Sequence, residues 1–137
     1  MANQLYAKAR EKFLTGTLAW TTTGTAYKVA LVNTEASGYN TPDFAEATDF
    51  STEVPAGVVG TAVSVTVGTD TYGTATIPAG STEFTNVTGN LVGAIIIYDD
   101  TSGQPVVYID EGFNPILPNG GNITILWDGG TGNVFKL

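Results

Sequence analysis

Apolar and polar positions alternate in several segments of this chain, and a period of two residues predicts β-strands rather than helices. The predicted strands are residues 18–20, 27–32, 63–67, 74–77, 81–87, 91–98, 106–109, 122–127 and 133–137. Within them, the apolar run Ile95-Ile96-Ile97 predicts a central strand that is covered on both faces. Short strands at spacings of roughly 8–12 residues predict an all-β fold, an antiparallel β-sandwich or barrel of about eight strands.

Residues 4–14 are the one segment of the sequence with a helical period. Leu5 and Phe13 fall on the same face of the predicted helix, while Asn3 is placed to cap its start and Gly16 to end it. A helix this short is marginal in isolation, so it needs a surface to pack on. That surface is the chain's own body, a neighbouring copy or a different protein, and the pattern leaves all of these open.

The basic residues of the chain are concentrated in this helix. Three basic residues and one acid, Glu11, give the first twelve residues a formal charge of +2, while the remainder carries −10, for a total of −8. A basic segment ahead of an acidic body favours an arm that docks on a partner. We therefore divide the chain into an N-terminal basic helical arm, residues 1–16, and a β-sandwich body, residues 17–137. The predicted partner-binding residues are Leu5, Tyr6, Lys8, Arg10, Lys12 and Phe13.

Composition excludes most catalytic sites. The chain has no His and no Cys, and therefore no Ser-His-Asp triad, no cysteine nucleophile and no conventional zinc site. The acid pairs Asp99-Asp100 and Asp110-Glu111 are predicted to lie roughly 20 Å apart along one hairpin, and a glycosidase needs its carboxylates within about 5–10 Å. Loops 99–102 and 128–132 are candidate calcium sites, but neither has the spacing of a calcium loop, which favours solvated turn acids. We predict no enzyme activity and no cofactor.

The charge of the chain also bears on its partners. An isoelectric point near 4.1 argues against nucleic acid, because phosphate binding needs a clustered positive surface. No stretch approaches the roughly 18 apolar residues of a membrane span, and the start, residues 1–4, lacks the pattern of a secretory signal. We therefore predict neither a nucleic-acid nor a membrane partner. The acidic, irregular segment 33–57 is typical of an interaction element, with one helical turn predicted at residues 49–53.

The N-terminal part of the sequence resembles a group of small tailed-bacteriophage proteins. The similarity is carried by Tyr-Ala-Lys-Ala-Arg-Glu-Lys-Phe-Leu at residues 6–14, by Leu18-Ala19-Trp20, and by Tyr-Lys-Val-Ala-Leu-Val at residues 27–32. Val54-Pro55-Ala56-Gly57 resembles the IPAG loop of the same group.

The C-terminal part carries the same resemblance. Pro-Asn-Gly-Gly-Asn-Ile-Thr-Ile at residues 118–125, Trp127-Asp128 and Phe135-Lys136-Leu137 are similar to the end of those proteins, whereas residues 60–90 are only loosely similar. The resemblance implies a virion structural protein, and within that class a capsid decoration (cement) protein. Such a protein binds the outer shell across junctions of the major capsid protein and stabilises the expanded head.

These observations predict a homotrimer that is made in the bacterial host cytoplasm and located on the outer capsid surface of the virion. The last strand, Asn133, Val134, Phe135, Lys136 and Leu137, is a candidate intersubunit strand, since it either pairs within its own chain or adds to a neighbour's sheet edge. One alternative function is a phage tail or neck adaptor or tube-type structural protein. A second is a host glycan or receptor-binding β module that uses Trp20, Tyr98, Tyr108 and Trp127.

Overall fold

The fold is mostly β. The computed structural model describes residues 3–21, 27–35, 42–53, 57–69, 74–111 and 115–136, without the side chains of Glu53 and Lys136. Within these ranges 41% of the chain lies in strands, which form three antiparallel sheets. The strands are β1 (Gln4–Leu5), β2 (Tyr27–Val32), β3 (Val58–Val65), β4 (Gly68–Thr69), β5 (Thr74–Thr76), β6 (Ser81–Phe84), β7 (Ala94–Asp99), β8 (Pro105–Ile109), β9 (Ile123–Leu126) and β10 (Asn133–Lys136).

The largest sheet has five strands in the order β1-β8-β7-β2-β3. The middle strand, β7, is buried at all six of its positions, which confirms the central strand that the run Ile95-Ile96-Ile97 predicts. Its neighbour β2 is buried at five of six positions, and the exception is Lys28. Continuous burial on both faces explains why these strands read as apolar runs rather than as alternating ones.

Two smaller sheets complete the described structure. One has the order β10-β5-β4, and the other pairs β6 with β9. In β9, Ile123 and Ile125 are buried while Thr124 and Leu126 are exposed, as the alternation in the sequence predicts. All pairings are antiparallel. The strand orders of the described residues contain no closed barrel, and they do not confirm a sandwich.

The N-terminal helix is shorter than predicted. Helix α1 spans Ala7–Thr15, and the preceding residues Gln4–Leu5 form β1 against β8. Asn3 does not cap the helix, because its side-chain oxygen accepts the backbone N–H groups of Asp110 and Glu111, both at 2.9 Å. Gly16 ends the helix in the left-handed region, at φ 78°, as predicted.

Three short segments remain, and each has a different conformation. The predicted strand at residues 18–20 is wrong: this segment is irregular, and it is fixed instead by the Trp20 indole N–H, which donates to the carbonyl of Thr76 at 3.1 Å. Residues Gly68–Thr69 form the short strand β4. The helical turn predicted at residues 49–53 is confirmed as α2 (Phe50–Glu53).

Candidate partner-binding surface

Helix α1 packs on the chain's own β body. Tyr6 and Ala9 are fully buried. The N–H of Tyr6 donates to the carbonyl of Val106 at 2.9 Å, and the N–H of Ala7 donates to the carbonyl of Phe44 at 2.7 Å. The helix is thus held at its start by the large sheet and by the segment that follows residue 42. The sequence left three candidate packing surfaces for this helix, and in the described structure the helix packs on the body of its own chain.

Lys12 is joined to a buried amide. Its ammonium nitrogen donates to Oε1 of Gln104 at 2.8 Å. Gln104 has no exposed surface, and its Nε2 donates to the carbonyl oxygens of Ala47 (2.9 Å) and Pro105 (2.8 Å). A single buried side chain therefore ties together the helix, the segment containing Ala47 and the start of β8. Because a buried polar group is costly unless it is hydrogen-bonded, this arrangement fixes the position of the helix.

Lys8 is also engaged on the body. Its ammonium nitrogen lies 3.5 Å from a carboxylate oxygen of Glu46 and 3.7 Å from one of Glu11. Both carboxylates are largely exposed, so each ion pair contributes little to stability in water. The pairs nevertheless orient Lys8 toward its own chain rather than outward.

Arg10 and Leu14 form the outward face of the helix. They lie four residues apart and so project from the same side. Arg10 is exposed, and no acid of the described residues lies within salt-bridge distance of it. Leu14 is 82% exposed, the largest value among the exposed large apolar side chains that the structure describes. A cation beside an exposed leucine on a fixed helix is a surface suited to binding another protein.

The six predicted partner-binding residues therefore have different positions. Tyr6 was predicted to contact a partner, and this prediction is wrong because its side chain is buried. Leu5 and Phe13 are half-buried. The ring of Phe13 lies 6.0 Å from that of Phe135. Of the six, Arg10 alone is exposed. Leu14 was not among the predicted residues, although its place four residues after Arg10 could have indicated it.

The candidate intersubunit strand pairs within its own chain. Strand β10 lies antiparallel to β5, with Asn133 opposite Thr76 and Phe135 opposite Ala75. The ring of Phe135 packs edge-on against Trp20 at 4.9 Å. Leu137 lies outside the described residues. Strand β10 ends the order of its sheet, so its second edge has no strand beside it within the described part of the chain.

The carboxylates do not converge on one site. Asp99 is buried and accepts the Thr101 N–H and the Ser102 hydroxyl, while Asp100 lies 3.3 Å from the Lys28 ammonium. In the other candidate calcium loop, Asp128 accepts the hydroxyl of Thr131 at 2.8 Å. Among the described residues there is no group of three or more potential metal-ligating acids. Both loops are therefore turns closed by their own side chains.

The four aromatic residues of the predicted glycan-binding surface do not form an exposed platform. Trp127, Tyr98 and Tyr108 are buried, and Trp20 is half-buried against Tyr27 with ring centroids 4.7 Å apart. The Trp127 indole N–H donates to the hydroxyl of Thr82. These side chains belong to the core, which removes the feature on which a glycan-binding function depended.

Tyr98 links α2 to the large sheet, and its partly buried hydroxyl group leads us to expect that stability depends on pH. The ring centroids of Tyr98 and Phe50 lie 3.9 Å apart, and the two rings are stacked. Burial raises the pKa of Tyr98 above its ordinary value of 10.0, and the nearby Asp100 carboxylate raises it further. The unfolded chain therefore loses this proton at a lower pH than the folded chain. The free energy of unfolding should fall as the pH rises above about 10.

Tyr98→Phe removes this titration and serves as the control. We expect its stability to decline less steeply with pH than that of the unmodified protein, as measured by urea denaturation at several pH values between about 9 and 11. Equal slopes for the two proteins would contradict the assignment.

Comparison with known proteins adds no relative: no family model, no curated protein and no solved structure matches this chain. No helix in the described ranges has the length and apolar character needed to cross a membrane.

Proposed function

We propose that this protein is a phage capsid decoration (cement) protein that binds the outer shell across junctions of the major capsid protein. The observation that carries the proposal is the outward face of α1, where Arg10 and the 82% exposed Leu14 stand on a helix that Gln104 holds in place. The resemblance of both chain ends to small tailed-phage virion proteins supports the particle context. The proposal includes a sandwich arrangement of the sheets and a homotrimer on the virion surface.

Stabilisation of the shell follows from mass action. A protein with affinity for the assembled, expanded lattice and none for the unexpanded one shifts the equilibrium toward expansion. A fixed contact face favours such binding, because little conformational entropy remains to be lost when the helix meets the shell. The net charge of −8 favours solubility of free protein at high concentration.

Cosedimentation with cognate heads tests the proposal. We expect the purified protein to pellet with expanded, DNA-emptied heads at a saturating ratio that scales with the major capsid protein, and to remain in the supernatant with unexpanded heads. Saturated heads should also disrupt at a higher temperature than bare heads. Absence of binding to expanded heads would contradict the proposal.

A tail or neck adaptor is the second candidate, and the second edge of β10 is the observation that favours it. A strand edge with no neighbouring strand among the described residues permits ring or tube assembly by strand addition between copies. Assembly of the purified protein into rings or tubes, with only a few copies in each particle, would support this function over decoration.

A further inference from the structure

A groove runs between the edge strands of two different sheets. Strand β1 ends the order of the five-stranded sheet, and β10 ends the order of the three-stranded sheet. Between them lies a cavity of about 270 Å³, lined by Asn3–Leu5, by Val107 and Ile109 of β8, and by Val134 and Phe135. A larger cavity of about 550 Å³ shares four of these residues and extends the groove to Leu126 and Asp128. The groove is therefore bordered by strand edges rather than by loops alone.

Backbone groups of β1 are free on the open edge of the sheet. The N–H of Tyr6 bonds to Val106, and bonded and non-bonded pairs alternate along antiparallel strands, so the adjacent pair Leu5–Val107 is the non-bonded kind. The N–H and the carbonyl of Leu5 consequently point away from β8. No described residue hydrogen-bonds to either group. An extended segment laid along β1 would find both a donor and an acceptor there.

The lining of the groove defines the chemistry of its occupant. Its apolar members include Leu5, Ile109 and Leu126, of which Leu126 is 62% exposed. Glu111 and Asp128 supply negative charge at the wider end, and neither forms a salt bridge with a described residue. A segment that alternates apolar residues with lysine or arginine is complementary to this groove. Its backbone can pair with the free edge, its apolar side chains match the apolar lining, and its basic side chains match Glu111 and Asp128 at the wider end.

We propose that the groove binds an extended, apolar and basic segment of the major capsid protein as an added β-strand. This inference rests on the proposed decoration function, and it names a second contact beside the face of Arg10 and Leu14. Strand addition would join the shell to β1 by main-chain hydrogen bonds, while the side chains at alternate positions enter the groove.

An NMR titration tests the groove directly. The probe is the peptide acetyl-Thr-Val-Lys-Val-Thr-Ile-Lys-Thr-amide, with a second peptide carrying Glu in place of Lys as the charge control. We expect the lysine peptide to shift the amide signals of Leu5 and Val134 and to slow exchange of the Leu5 N–H, and the glutamate peptide to bind about tenfold more weakly. Shifts confined to other surfaces, or none at millimolar peptide, would overturn the proposal.

Two substitutions at one position isolate the backbone contact. Leu5→Ala shortens the side chain and keeps the N–H, whereas Leu5→Pro shortens the side chain and also removes the N–H that points away from β8. Proline is tolerated where an edge strand turns its N–H to solvent, so the fold should persist in both variants, as checked by circular dichroism. We expect Leu5→Pro to bind the peptide about tenfold more weakly than Leu5→Ala. Equal affinities would contradict strand addition.

The same variants on expanded heads separate this inference from the decoration function. Loss of head binding by Leu5→Pro relative to Leu5→Ala supports the groove as a shell contact. Equal head binding by the two variants would overturn the groove contact while leaving decoration intact. If the unmodified protein fails to bind heads at all, the decoration function fails, and with it the capsid segment as the occupant.

Discussion

Replacing Gln104 with leucine should lower the free energy of unfolding by about 3 kcal/mol, because three buried or partly buried groups lose their hydrogen-bond partner at once. The Lys12 ammonium loses its acceptor, and the carbonyls of Ala47 and Pro105 lose their donors. Leucine fills a similar volume, so the loss reflects unsatisfied polar groups rather than a cavity. Urea denaturation followed by circular dichroism measures the change.

Lys12→Met provides the matched control for this expectation. It removes one hydrogen bond to Gln104 and leaves the two bonds to carbonyl oxygens in place. The expected loss is about 1 kcal/mol. The double variant should be less destabilised than the sum of the single variants, since both remove the same contact. Additive losses would show that Lys12 and Gln104 stabilise the fold independently. That result would contradict the stabilising contact between α1 and the body through these two side chains.

The largest effect on function is expected from the double variant Arg10→Glu with Leu14→Ser. Both side chains are exposed on α1, so the fold should be unaffected, while affinity for expanded heads should fall by about a hundredfold. The reasons are the loss of an apolar contact and the reversal of a charge that has no partner among the described acids. Cosedimentation over a range of protein concentrations gives the affinity.

Leu117→Ser is the control for this experiment, because Leu117 is another strongly exposed leucine, at 71%, and lies outside α1. It should bind heads as the unmodified protein does. Substituting Lys8 or Lys12 is a weaker test, because Lys8 contacts Glu46 and Lys12 contacts Gln104 of the same chain. A change in head binding could then not be separated from a change in the fold. Unchanged affinity of the Arg10 and Leu14 variant would refute the contact face.

The strands with a strong local pattern were predictable from the sequence. The run Ile95-Ile96-Ile97 is buried in the middle of the large sheet, and the alternation in residues 123–126 is that of a strand with one buried face. The left-handed helix end at Gly16 was predictable for a similar reason, since glycine adopts that conformation without strain. In each case a local preference and the final environment agree.

Features that depend on distant partners were not predictable. Gln4–Leu5 continue the helical pattern, yet they form a strand because β8 offers an edge more than 100 residues later, as shown by the pairing of Gln4 with Tyr108. Gln104 reads as an ordinary polar loop residue, and no pattern indicates that it is buried and bonded to Lys12 and Ala47. The exposure of Leu14 likewise follows only from how α1 sits on the body.

The closeness of the first and last described strands has a consequence for synthesis. Asn3, Val134 and Phe135 line the same groove, and Trp20 packs on Phe135 although 114 residues separate them in the sequence. Contacts between such distant residues cannot form until the later residue of each pair has left the ribosome. Helix α1 is made before Gln104, so it gains this support only after Gln104 has been made. A chain cut short before that point would lack the contacts that hold α1, and with them the fixed face of Arg10 and Leu14.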